Sequence, residues 1–423
     1  MVKYQLIFKP FSYSYDDLTD KENDFIRYFE SINLQSISNV TDKYYRGPGP
    51  KGYGHSLILS RILKVKELFF SDRILADKLA KNEIYRLVCL MDKNKTPSHN
   101  TYNTLRKSLG VEGYTEIHKN FIRDAQALGL IDPDLPELPK NRRKGIILIA
   151  DSTFIYPDAS TKGQKQSDGS WLFSDPSLAF GRPHHKYKYP VGHKAQSLIT
   201  ITGIPVVSFV VANNIHDQYY VIPLLDEFRQ RFPDIKIAYI ILDKGYDNEE
   251  IYQIIYESYN IIPVIIRKKM VYPKGFTADG KPLCPLGYPM TKEAGIDYKR
   301  ERTWYSCKRI CKKDPQRNFN FCSDLNSDRP YGFTKYTYFK DSYRKFGPAL
   351  PNTIIYKTLK PYRTAIERNY GLVKENRYRL EYTNTYKGFD NVLMHVIEHD
   401  IVLTQDVIFN FKKSGKISSV IKV

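Results

Sequence analysis

Residues 236–247, Lys-Ile-Ala-Tyr-Ile-Ile-Leu-Asp-Lys-Gly-Tyr-Asp, constrain the fold more than any other stretch. The unbroken apolar run from Ile237 to Leu242 predicts a strand. Such a run needs cover on both faces, which puts it in a parallel or central position of a sheet. It ends on a carboxylate, Asp243, followed by a glycine turn at Gly245 and a helix with Asp247 as its expected cap. Open α/β sheets place their chemistry at the carboxyl ends of strands. Asp is also a common turn residue, so Asp243 has two readings, turn former or functional acid. A second strand of the same design and a glutamate on a late helix favour the acid.

That second strand spans residues 145–150 and ends at Asp151-Ser152-Thr153. A basic polar loop follows, with His184, His185, Lys186, Lys188, His193 and Lys194. The His184-His185 pair fits phosphate contacts and a plain polar loop equally. Strands are predicted at 195–202 and 206–212, joined by the Gly203-Ile204-Pro205 turn. A helix over 217–232 carries Tyr220, Ile222, Leu224, Leu225 and Phe228 on its apolar side. The strand at 236–243, a helix over 248–259 and a strand at 261–266 complete a β-β-β-α-β-α-β order. Three strands in an antiparallel meander with later strands attached in parallel make the order of a ribonuclease-H-like core. That order sets Asp151 and Asp243 at one point.

The flanking regions divide the 423 residues into further parts. Residues 1–135 read as a helical N-terminal region for DNA binding, with weak signals before 55 apart from one helix over 16–32. Gly47, Gly49, Gly52 and Gly54 lack the Gly-Lys-Ser/Thr ending of a phosphate-binding loop. Leu57, Ile58, Ile62, Leu63, Val65, Leu68 and Phe69 recur at helical spacing. Ser71 is the expected N-cap of a helix turning Ile74, Leu75 and Leu79 inward. Pro97-Ser98 opens a third helix that Gly110 is expected to stop. Such short helices fit a trihelical DNA-binding unit or an ordinary bundle. A Pro-rich linker at 132–139 precedes the first part of the core, 140–266. Residues 267–352 interrupt the core as a basic, Cys-containing, β-rich insertion: from Arg267 to Arg317 there are fourteen Lys/Arg against five Asp/Glu. Residues 353–413 hold two helices that complete the core, from 354 to 378 and from 389 to 411, and 414–423 is a basic tail.

The formal charge is +19, which favours a polyanionic partner such as nucleic acid. Thirty-four tyrosines offer stacking surfaces, although Lys, Ile, Tyr and Asn richness also follows from an AT-rich genome. No apolar run is long enough to span a membrane, and the first ten residues lack a signal-peptide layout. The expected location is therefore the cytoplasm, with the five cysteines reduced.

In the helix after the insertion, Arg363, Glu367, Tyr370 and Lys374 are spaced i, i+4, i+7, i+11 and share one stripe. Surface ion pairing is the simple account of a glutamate between cations. Two strand-end aspartates upstream reverse the balance. Three converging carboxylates repel one another unless a divalent cation lies among them. Hard oxygen donors suit Mg2+ or Mn2+.

Asp151-Ser152-Thr153, Asp243-Lys244-Gly245-Tyr246-Asp247 and Arg363-x3-Glu367-x6-Lys374 together resemble the DDE transposases of bacterial insertion sequences. The branch is the insertion-sequence-4-like one, with a Tyr-Arg-Glu-Lys signature and an insertion before the last acid. Asn213-Asn214-Ile215-His216-Asp217 resembles that family's segment after the third strand. Ser71-Asp72-Arg73-Ile74-Leu75 and Pro97-Ser98-His99-Asn100-Thr101 are similar to its DNA-binding region. The resemblance implies that Asp151, Asp243 and Glu367 hold Mg2+ or Mn2+ for DNA strand cleavage and transfer. It implies that Arg363 and Lys374 grip the terminal inverted repeats of double-stranded DNA, as a homodimer holding two ends and a target. The family's tyrosine falls where this sequence has Lys360, and Tyr362 adjoins the arginine instead. Lys244 follows the second acid as a further DNA contact. In relatives a tryptophan of the insertion stacks on a flipped base. Trp304 is the candidate here, with a place in the core as its other reading.

Cys284, Cys307, Cys311 and Cys322 are four thiols separated by 22, 3 and 10 residues. They fit a structural zinc site or a small reduced core, without the usual Cys-x2-Cys knuckles. Cys89 lies on an apolar helical stretch and reads as core. His216-Asp217 lacks the nucleophile elbow of a hydrolase. Two other functions compete with a transposase: a catalytically silent DNA-binding derivative, and a metal-dependent nuclease without strand transfer.

Overall fold

A computed structural model describes residues 19–44, 53–93, 95–139, 142–181, 190–307, 332–351, 353–371 and 378–417; the side chains of 293–295 and 365–371 lie outside that description. At its centre β1 (Ile146–Ile155), β2 (Val191–Thr200) and β3 (Pro205–Ala212) form an antiparallel meander. β4 (Ile237–Leu242) and β5 (Ile262–Ile265) join in parallel on the other side of β1. The order across the sheet is β3-β2-β1-β4-β5. β4 is buried at every position, as an apolar run without alternation requires. α7 (Val221–Arg231) and α8 (Glu249–Glu257) pack on the sheet through Leu224, Leu225 and Phe228 and through Ile251, Tyr252 and Ile255.

Several elements depart from the sequence expectations. β1 does not end at Ala150 but runs to Ile155, because β2 pairs with it as far as Ile155↔His193 while its pairing with β4 stops at Ile149↔Ile241. The cap of α8 is Asn248, whose side chain accepts from Glu250 N at 3.2 Å, and not Asp247. Asp247 is drawn away by the Arg344 guanidinium at 2.8 and 2.7 Å and by Lys268 N at 2.7 Å. Gly245 sits in a 3-10 turn, Lys244–Tyr246.

The N-terminal helices are α1 (Asp20–Glu30), α2 (Leu34–Tyr44), α3 (Gly54–Lys66), α4 (Asp72–Lys81), α5 (Glu83–Val88) and α6 (His99–Ala127). Ser71 caps α4 as expected, accepting from Ile74 N at 3.2 Å. Leu75 and Leu79 turn inward, but Ile74, off that i, i+4 stripe, is 40% exposed. Gly110 breaks the helical backbone with φ 57° without ending α6, which resumes directly. The first eighteen residues lie outside the described set.

The insertion contains β6 (Thr291–Asp297), β7 (Arg302–Ser306) and β8 (Thr334–Tyr338), an antiparallel sheet with β7 in the centre, followed by the short α9 (Tyr343–Phe346). α10 (Ile354–Gly371) and α11 (Phe389–Ser414) end the described fold. α11 joins both layers. Met394, Ile397, Ile401 and Val402 pack among the N-terminal helices, while Asp400 meets the sheet, accepting from Ser208 Oγ at 2.7 Å. Arg61, 1% exposed, holds both oxygens of Glu398 at 2.8 and 2.7 Å and also contacts Asp72. Arg106 reaches Glu398 at 3.3 Å.

Burial pushes the Asp400 carboxyl from 3.8 up to about 7. A carboxyl raised on folding stabilises the chain most below its unfolded value, and that contribution fades as pH rises through its folded value. Urea midpoints of the native chain are expected to fall between pH 4 and pH 7 relative to Asp400→Asn. Parallel curves for the two proteins would remove Asp400 as the cause.

Candidate active site at the ends of β1 and β4

Ile149 stands level with Ile241 on neighbouring parallel strands. The same register carried two residues further sets Asp151 beside Asp243 on one face of the sheet. Neighbouring strands lie about 4.8 Å apart. Both acids lie just past the last parallel pair, Ile149↔Ile241. Asp151 is still inside β1, opposite Ser197 of β2. Of the two readings of Asp243, the turn former is visible: its side chain caps the 3-10 turn by accepting from Lys244 N at 2.5 Å.

α10 supplies the cation. The Thr353 hydroxyl accepts from Tyr356 N at 3.2 Å and starts the helix. Ile355, Leu359 and Arg363 are buried at successive turns. Arg363 thus extends the buried stripe, and its Nη2 lies 3.2 Å from Asp151 Oδ1. Glu367 lies one turn further along α10, but its side chain is outside the described residues, as is all of Lys374. Lys360 and Lys244 are exposed. Tyr362 is half-buried against the sheet's core, where burial and the nearby Glu137 carboxylate push its phenol up. Pro361 sits within α10 and withholds one hydrogen bond from the Lys357 carbonyl.

Two neighbours, from the Asn213–Asp217 and Asp243–Asp247 segments, were assigned no site role from the sequence. Asp217 accepts from Lys194 Nζ at 2.9 Å, Gln196 Nε2 at 2.6 Å and Ser152 Oγ at 3.1 Å. Burial opposes its ionisation, but these donors outweigh burial and hold its carboxyl below the usual range. Tyr246 is buried, and its phenol is pushed up by burial first and then by the Asp217, Asp151 and Asp243 carboxylates, with Arg363 opposing. Tyr246 therefore lies within electrostatic reach of three acids and the arginine. The sequence signal for Asp217 was the Asn213-Asn214-Ile215-His216-Asp217 segment after the third strand.

Within the insertion, Trp304 is half-buried at a register shift of β7, paired with Tyr336. Its neighbour Tyr305 takes the inward position beside Cys284, Met290 and Cys307. Cys311 and Cys322 lie outside the described residues, as do His184 and His185. Cys89 is fully buried in the helical cluster. Among the described residues, no three of His, Cys, Asp and Glu form a ligand group for a metal, and Glu367's side chain is not among those residues. The donors at the strand ends are hard carboxylate oxygens, a set that fits Mg2+ or Mn2+. No described helix is long and apolar enough to cross a membrane.

One acid within β1 and another just past the end of β4, with an arginine of α10 against the first, define a carboxylate site in a mixed α/β core. The family model of the transposase DDE domain matches residues 142–397, and the chain belongs to that family. No curated protein matches the chain in sequence. Among solved structures it is similar to a cryo-EM structure of the piggyBac transposase synaptic complex with hairpin DNA. That match has 10% identity and a TM-score of 0.35, over 96% of this chain and 78% of the other, too low to carry an argument.

Proposed function

We propose that this chain is the DNA transposase of an insertion sequence, of the insertion-sequence-4-like branch. It binds terminal inverted repeats and carries out strand cleavage and strand transfer. The observation that carries this reading is Arg363 of α10 against Asp151, two residues past the Ile149↔Ile241 pair, whose register carried on would bring Asp243 level with Asp151. The strand order β3-β2-β1-β4-β5, antiparallel then parallel, supports a ribonuclease-H-like core. Asp151 and Asp243, joined by Glu367 from α10, would hold two Mg2+ or Mn2+ ions. Such ions, when bound, activate a water or 3′-hydroxyl and stabilise the leaving oxygen in an in-line phosphoryl transfer. The chain's own residues position the substrate. Arg363 and Lys374 bind phosphates beside the acids, with Lys244, Lys360 and Tyr362 as further contacts. The partners are transposon-end and target DNA, and the active form is a homodimer that brings two ends together.

The test mixes the purified chain with the ends of its own element and Mg2+. Nicking followed by joining to a target supports the transposase. Cleavage without joining makes the chain a nuclease, and binding without cleavage makes it a silent derivative. The shared cluster of Cys284 and Cys307 supports a second, structural site. With Cys311 and Cys322 those thiols would bind zinc tetrahedrally. Metal analysis is then expected to find one zinc per chain, and freely titrating thiols in zinc-free native protein would exclude the site.

A further inference from the structure

We propose that Arg344 is a positioning residue for Asp243: from the insertion it holds the turn that Asp243 opens, by gripping Asp247 at the turn's other end. This rests on the reading of Asp243 as a ligand of a divalent cation. The turn is short. Asp243 precedes its three residues and Asp247 follows them. Tyr246 N donates to the Asp243 carbonyl at 3.0 Å, and Asp247 N donates to the Lys244 carbonyl at 3.3 Å. A segment this short, closed by two backbone bonds, passes a shift of Asp247 on to Asp243.

The Asp247 carboxylate is fully buried and takes its donors from the insertion. Arg344 of α9 offers Nε at 2.8 Å to one oxygen and Nη2 at 2.7 Å to the other. Lys268, three residues past β5, adds its backbone N–H at 2.7 Å. Lys268 and Arg344 stand near opposite ends of the 267–352 insertion, so one carboxylate ties both to the turn. The start of α8 does not need this acid, because Asn248 already caps it. Burial opposes the Asp247 charge, but Arg344, the Lys268 N–H and the nearby Arg267 outweigh it and hold the carboxyl below its usual range. A buried ion pair adds little net stability over an apolar contact, but a two-point guanidinium grip specifies one orientation. Other bonds dock α9 on α8. Ser342 Oγ donates to Glu249 Oε2 at 2.7 Å, and Tyr343 Oη donates to Glu257 Oε1 at 2.7 Å. The Arg344 guanidinium thus reaches the turn from a backbone that is fixed without it.

Without that guanidinium, Asp247 keeps a buried charge and loses both side-chain donors. A charge so placed turns toward water, and the short turn follows it. Partners one step behind a metal ligand orient it, and their loss costs about 10- to 100-fold in metal affinity.

The experiment measures Mn2+ binding to the full chain, without DNA, from the loss of the free ion's electron paramagnetic resonance signal. Arg344→Ala is expected to weaken Mn2+ binding about 10- to 100-fold. Arg344→Lys keeps the charge but not the two-point grip, and should weaken it less. Tyr343→Phe loosens α9 from α8 but leaves Asp247 its donors, so it should bind Mn2+ like the native chain. The salt slope of duplex binding should be the same in Arg344→Ala as in the native chain, because the paired guanidinium holds no phosphate. Native-like Mn2+ binding in Arg344→Ala overturns the positioning role. So does an equal loss in Tyr343→Phe, which makes Arg344 a docking contact, or a salt slope smaller by about one unit, which makes it a phosphate contact. If Arg344→Ala does not fold, Arg344→Lys decides, and native-like Mn2+ binding by it overturns the role. Asp243→Asn, titrated alongside, tests the metal reading. If it binds Mn2+ like the native chain, that reading fails and the positioning role falls with it. If Asp243→Asn loses Mn2+ and Arg344→Ala does not, the positioning role alone fails.

Discussion

Asp243→Asn is expected to bind DNA as tightly as the native chain, or slightly more tightly, while nicking falls by orders of magnitude. The substitution removes one negative charge near DNA and one hard ligand from a site that needs several. It also keeps an oxygen able to accept from Lys244 N, so the 3-10 turn that Asp243 caps should survive. That separates the two roles of the residue. Arg363→Ala should behave in the opposite way. Losing a phosphate contact lowers affinity and shrinks the salt slope of binding by about one unit. It also strips Asp151 of the guanidinium 3.2 Å away. Binding titrations at several salt concentrations, with a nicking assay in Mn2+, read both variants. Full nicking by Asp243→Asn would leave Asp243 a turn residue and end the proposed mechanism.

Glu398→Ala is expected to be the most damaging single change away from the site, lowering stability by about 3–5 kcal/mol. Its carboxylate is 2% exposed and faces Arg61, itself 1% exposed, and Arg106, 4% exposed. Alanine would leave two guanidiniums in the interior, with Asp72 and the Tyr386 hydroxyl still beside Arg61 and the Asn391 carbonyl beside Arg106. Burial raises the cost of the Glu398 charge, but Arg61 and Arg106 outweigh it and hold the carboxyl below its ordinary 4.5. The stabilisation is therefore present above pH 4.5 and lost as pH falls through the lowered folded value. Chemical denaturation at neutral pH checks the magnitude. A loss within about 1 kcal/mol, the scale of a surface pair, would mean the cluster is solvated.

The sheet was legible because its strands are local signals. An apolar run such as 237–242 has one stable use, burial on both faces, and its length sets where it ends. The place of Asp243 just past that run was legible for the same reason. The expected strand end at Asp151 was only partly right: the apolar run stops there, but β1 continues because β2 offers it partners. The α8 cap was misread because Asn248 and Asp247 are both good caps, and Arg344, 97 residues away, takes Asp247.

By itself, then, the sequence determined the strand order and the helix that carries Arg363, both consequences of burial and periodicity within a few residues. Tertiary structure decided which charges meet. Nothing local pairs Arg61 with Glu398 across 337 residues, or Asp217 with Lys194, Gln196 and Ser152. Nor does any periodicity bring Tyr382 onto Tyr156. A side chain's apolar character fixes which way it faces, but its charge or ring fixes only what it needs. The chain's packing supplies the partner.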